Sequence, residues 1–200
     1  MMTANALENL ETALLSVFSN EEAGCLARLL HSFNSGESIY YENIDLSHAV
    51  KDDCILTAFE ERLIIPQLSS QGSAWEDRML QLQPGALYIM PWVTRRLVDG
   101  AEANAVFDPN GAIRQVMAEK DEGLARAMID FFNKLKPHAV SYKVEGGLMN
   151  TLNRGYDPPL DLHEVLDHFV LAGMMSPCTR GPITKGLVWY EINPSLYWGD

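Results

Sequence analysis

The densest gathering of ligand-type side chains in the sequence is Asp161-Leu162-His163-Glu164-Val165-Leu166-Asp167-His168. A zinc-binding HExxH helix sets two histidines four residues apart, so that both imidazoles reach one ion from one face. Here the second histidine is five residues on, and helix geometry turns His163 and His168 about 140° apart. That motif is absent. The i, i+4 pairs His163/Asp167 and Glu164/His168 remain candidates for a metal site or a pH-sensitive contact. No cysteine or further histidine lies close by in sequence. The favoured reading is therefore a solvated face opposite a leucine stripe, with no metal and no cofactor.

Other chemistry is equally thinly supported. Gly146-Gly147 lacks the lysine of a phosphate-binding loop, Gly181-Pro182 lacks the preceding strand, and no GxSxG elbow is present. Cys25, Cys54 and Cys178 are far apart and form no CxxC, so neither a disulfide framework nor a zinc ribbon is indicated. A non-enzymatic protein is expected.

The elements that carry these residues are clearer than their chemistry. After Pro158-Pro159, the residues Leu162, Val165, Leu166, Phe169 and Val170 fall on one helical stripe, and Asp161 is the expected N-cap. Glu164 sits at the capping-box position and Gly173 is a natural left-handed stop, which predicts a helix near 162–172. A turn-rich run from Ser176 to Pro182 follows. Leu187 to Ile192 then has the β-branched and aromatic content of a strand, ending at Asn193-Pro194.

Helix, turn, short strand, loop and return strand form the second half of a winged helix. The terminal Tyr190-Glu191-Ile192-Asn193-Pro194-Ser195-Leu196-Tyr197-Trp198-Gly199-Asp200 resembles the wing-strand ending of winged-helix proteins, plasmid replication proteins among them. The likeness covers about a dozen residues and implies a fold rather than a function.

Upstream, Leu7, Leu10, Leu14, Leu15 and Phe18 mark an amphipathic helix. Ser19-Asn20-Glu21-Glu22 reads as a capping box opening a second helix that buries Cys25, Leu26, Leu29, Leu30 and Phe33. Ile39 to Tyr41 predicts a short strand, Ile44 to His48 a short helix, Cys54 to Arg62 a longer one, and Leu63 to Gln67 another strand. Ala86 to Met90 is a further strand, and Val93 to Val98 a short helix with Arg95 and Arg96 on one side. Asp99-Gly100 and Asp108-Pro109-Asn110-Gly111 are the strongest punctuation, and the domain boundary is placed between them.

Beyond it the pattern predicts helices over Ala112 to Glu119, Glu122 to Leu135 and Leu148 to Asn153, with Val140, Tyr142 and Val144 alternating as a strand. The order repeats that of the first half: Glu22 to Phe33 resembles Asp121 to Phe132, Leu63 to Pro66 resembles Gly173 to Pro177, and Leu87 to Pro91 resembles Trp189 to Pro194. The expected fold is α+β, mainly helical, as two tandem winged-helix domains at 1–100 and 101–200.

Charge narrows the function. The 200 residues carry a net charge of −12, and residues 1 to 60 hold ten acids against Arg28 and Lys51. Winged-helix proteins that bind DNA commonly use the third helix, which falls at Lys51 to Arg62 and Asp161 to Ala172. The first has Asp52, Asp53, Glu60 and Glu61, and the second has acids and no Lys or Arg, so DNA binding is disfavoured. Arg95, Arg96, Arg114, Lys120, Arg126, Lys134, Lys136, Lys143 and Arg154 read as ordinary surface charges, the alternative being a basic inter-domain strip.

Four rings, Trp189, Tyr190, Tyr197 and Trp198, exceed what one small wing buries alone, and with Arg95 and Arg96 they are the candidate interaction residues. The C-terminal segment is expected to pack against the other winged helix or a second copy of the chain, a homodimer being favoured, and the expected partner is a protein or that second copy. In architecture this resembles the acidic tandem winged-helix subunits that grip partner chains in chromosome-organising and sorting complexes. The N-terminus lacks a basic n-region and no apolar run reaches the ~18 residues of a membrane span, so no membrane association and a cytoplasmic location are expected.

Overall fold

The computed structural model describes residues 3–33, 36–67, 74–178 and 188–199. It is an α+β chain with two small three-stranded sheets. Helices α1 (Thr3–Leu14) and α2 (Asn20–Ser32) lead to β1 (Ser38–Tyr40), a 3-10 turn at Tyr41–Asn43, and α3 (His48–Glu60). Strands β2 (Ile65–Pro66) and β3 (Leu87–Ile89) complete the first sheet, and α4 (Trp92–Asn104) follows. The second half runs α5 (Pro109–Met117), α6 (Glu122–Leu135), β4 (Lys143–Glu145), α7 (Gly146–Asn153), α8 (Leu162–Leu171), β5 (Met175–Cys178) and β6 (Trp189–Ile192).

Both sheets are antiparallel, and in both the last strand is central: β1-β3-β2 and β4-β6-β5. The helix starts follow the side chains that satisfy their first amides. The Ser19 hydroxyl accepts from Glu22 N while the Glu22 carboxylate accepts from Ser19 N, a reciprocal box. Asp121 accepts from Gly123 N and Leu124 N, and Asp161 from His163 N and Glu164 N. Gly173, just past α8, has φ 72°, and a Cβ there would lie 2.4 Å from Pro91 Cβ, so glycine is required twice over.

Three expectations are corrected. Ile44 to His48 is not a helix: the chain turns at Tyr41–Asn43, bends again at Leu46, whose amide donates to Ile44 O, and α3 begins only at His48. The alternation Val140, Tyr142, Val144 is not one strand. Ser141 and Tyr142 have φ of 48° and 63°, Val140 and Lys143 exchange backbone hydrogen bonds across that reversal, and only Lys143–Glu145 is strand. Asp99-Gly100 lies inside α4, because Val93, Leu97, Val98 and Ala101 bury a continuous stripe that outweighs one glycine. The break comes later, where Ala105 adopts φ 59°. The polar loop at Ser69 to Ser73, the Thr179 to Pro182 part of the turn and Leu187 lie outside the described residues.

Most of the buried apolar side chains form one cluster from Leu10 to Trp198, drawing on both halves. Helix α4 packs against both α1 and α5. The seam between the halves is also polar. Val93 N donates to Ala172 O at 2.9 Å, Trp75 N donates to the buried Ser176 hydroxyl at 2.8 Å, and Lys143 pairs with Glu76 at 3.4 Å.

Candidate functional site

Asn193 stands at the centre of that seam and is fully buried. Its Nδ2 donates to Gly173 O (3.1 Å), Arg62 O (3.3 Å) and Thr94 Oγ1 (3.3 Å). Its Oδ1 accepts from Ser195 N and from the Ser195 hydroxyl. Beside it, Arg62 Nε donates to Glu191 Oε1 at 3.0 Å, both side chains being mostly buried. Neither residue stands out in sequence as more than a strand end or a helix end.

Three of the predicted aromatic residues, Tyr190, Tyr197 and Trp198, pack against the chain's own core. Trp198 is buried between Phe18, edge-on at 5.4 Å, and Phe107 at 4.9 Å. The indole also lies beside the Glu61 carboxyl. Burial pushes that carboxyl up and Glu60 adds to the rise, while Trp198 and Arg62 offset part of it. Tyr197 donates to Lys136 O and its ring meets Tyr142. Trp189 and Tyr190 are half-buried on β6, and Tyr190 lines a hollow of about 340 Å³ with Leu162, His163 and Leu166.

The histidine helix does not converge. His163 is 3.6 Å from Asp167 and faces solvent, Glu164 pairs with Lys120 at 3.2 Å, and His168 is half-buried. His168 Nε2 lies 3.3 Å from Val116 O, and since a carbonyl only accepts, that nitrogen donates. Burial holds the His168 imidazole below its ordinary range. Among the described residues no three His, Cys, Asp or Glu side chains are grouped to hold a metal ion.

Most of the basic residues are interleaved with acids. Arg96 pairs with Asp99, Arg114 with Asp108, Lys120 with Glu164, Arg126 with Glu122, Lys134 with Asp130 and Lys143 with Glu76. Arg95 donates to Gly36 O and lies over the Phe33 ring, and Lys136 lies over Tyr197. Six of these cations are thus held against acids, Lys120 and Lys143 against acids distant in sequence, as in a surface of mixed charge.

Helix α3 is more acidic in space than in sequence. Lys51 is only 5% exposed, tucked over the Tyr41 ring and donating to Tyr41 O, while Arg62 is held by Glu191. The helix therefore presents Asp52, Asp53 and Glu60 with the exposed Leu56. Helix α8 presents His163, Glu164 and Asp167, with Leu171 81% exposed.

A concavity of about 740 Å³ forms a groove between α2 and α3. Its floor is Cys25, Leu26, Leu46, Val50 and Cys54, and its lips carry Glu11, Glu21, Glu22 and Asp53 against one base, Arg28. Burial pushes both thiols up, Cys54 far above the ordinary thiol range, so at neutral pH they are protonated, apolar floor. Sequence reading placed the acids and both cysteines on separate helices. The groove exists only because the capped start of α2 and the middle of α3 come together.

A protein-family model matches residues 8–198, and the chain belongs to that family across both halves. No curated protein and no solved structure matches it. Among the described residues no helix is long and apolar enough to cross a membrane.

Proposed function

We propose that this chain is a non-enzymatic protein-interaction adaptor or regulator built from two winged-helix units, the first running through α4 and the second from α5. The winged-helix reading is supported by the repeated order of helix, strand, helical segment, helix and two strands, with the last strand central in both sheets. The observation that carries the function is the surface of the two third helices. With Lys51 buried and Arg62 paired, α3 offers acids and an exposed leucine, and α8 offers the same combination. Phosphate backbones require cations at that place, whereas exposed leucines rimmed by acids suit a protein surface.

Two measurements test this. Fluorescence anisotropy with duplex DNA at ~150 mM salt should give no binding tighter than ~10⁻⁶ M, the tight end of non-specific binding. Cross-linking of the purified chain to its co-purifying partner, read by mass spectrometry, should place contacts on α3 or α8. Tight sequence-selective duplex binding would replace this reading with that of a DNA-binding transcription regulator or replication protein.

A further inference from the structure

We infer that the groove between α2 and α3 docks a basic amphipathic segment of a protein partner. The inference rests on the protein-binding function proposed above and names its site and the chemistry of what enters. Three observations carry it.

The first is the groove's build. An apolar floor with room for several side chains is bordered on the α1–α2 side by Glu11, Glu21 and Glu22, and on the α3 side by Asp53. Among the described residues none of these acids, nor Arg28, enters an ion pair. Like charges therefore face each other across an apolar gap.

The second is the same gap in the other half. Helices α3 and α8 share a burial pattern, Cys54, Ile55 and Ala58 on one and Val165, Leu166 and Phe169 on the other, so Asp53 corresponds to Glu164 and Thr57 to His168. In the second half this face is closed from within. Lys120, one residue before the N-cap Asp121, reaches Glu164 at 3.2 Å, and His168 donates to Val116 O. The first half has Phe18 where Lys120 would stand before the cap, and the groove stays open. A lysine or arginine on a partner would make the bridge that Lys120 makes internally.

The third is the state of the floor. Thiols held protonated by burial lie beside Leu26, Leu46 and Val50 and leave the floor apolar, suited to leucine-type side chains. A segment with apolar residues on one face and cations along its edges satisfies floor and lips together.

The test uses the full chain and a fluorescein-labelled synthetic peptide with leucine and lysine at amphipathic helical spacing. Anisotropy at ~150 mM salt should show saturable binding, with hydrogen-exchange protection on α2 and α3. The charge reversal Glu21→Lys/Asp53→Lys, at two exposed positions that cap nothing, should weaken binding at least about tenfold and admit the glutamate counterpart of the peptide instead. Glu21→Gln/Asp53→Asn, with the shape kept, should weaken it less. Absence of binding, indifference to both double variants, or equally tight competition by spermine, a cation without an apolar face, would overturn the inference. Failure here with cross-links still falling on α8 would remove the groove and leave the protein-binding reading standing. Sequence-selective duplex binding would remove that reading itself.

Discussion

Arg62 and Glu191 are 129 positions apart in sequence, yet the Arg62 guanidinium donates to both oxygens of the Glu191 carboxylate, at 3.0 and 3.5 Å. The pair links the turn after α3 to the central strand β6 at the seam between the halves. Removing one member leaves the other charge buried. Arg62→Met should therefore cost about 3–5 kcal/mol, and Arg62→Met/Glu191→Met should recover most of it, because an apolar pair needs no counter-ion. Urea unfolding of the two single variants and the double variant measures this. A double variant no better than either single one would mean that the pair is not the source of the loss.

Asn193 should be the least replaceable polar residue. Its amide serves acceptors on both halves and its carbonyl holds the Ser195 turn. Asn193→Ala orphans several buried groups, each worth ~1–3 kcal/mol, so Tm should fall by roughly 6–12 °C. A thermal melt within ~2 °C of the parent, under 1 kcal/mol, would contradict the role.

Trp198→Ala should destabilise by about 3–5 kcal/mol through the cavity between Phe18 and Phe107. Because both neighbours belong to the same chain, the mass by light scattering should not change. A variant that kept its stability but changed its mass would place the indole in a contact between copies.

His168 should couple stability to pH. Burial lowers its folded pKa from 6.5; Lys120 acts in the same direction, and the Val116 carbonyl, Glu119 and Glu164 act against it. Between that lowered value and 6.5 the unfolded chain binds more protons than the folded one, so stability rises with pH through the window and is lost as pH falls through it. His168→Gln keeps a donor for Val116 O without titrating. The parent's stability relative to this variant should therefore grow from about pH 5 to pH 7 in urea unfolding. A constant difference would show that the imidazole does not titrate out of the fold.

Local chemistry was legible where it is complete within a few residues. The Ser19/Glu22 box, the Asp161 cap, the Gly173 stop and the stripe of α6 are each fixed by neighbours in sequence, and so is the repeated order of elements. What was illegible depends on packing between distant segments. Lys51 counts as a surface cation until the fold buries it over Tyr41. Asp99-Gly100 reads as a turn until the buried stripe of α4 carries the helix through it. Val140 and Tyr142 alternate like strand residues, but alternation does not encode the left-handed pair at Ser141 and Tyr142. The groove was unreadable for the same reason: its lips come from α1, α2 and α3.

Helix α4 has one side on α1 and another on α5, and it begins beside Gly173 with Val93 bonded to Ala172. Sub-global opening needs a boundary across which little is buried, and α4 removes such a boundary between the halves. The amides of β3 and β6 should thus be released by the same opening event. In native-state hydrogen exchange their protection should converge on one free energy as denaturant rises, and proteolysis aimed at the Ala105 turn should yield no fragment that holds its sheet alone.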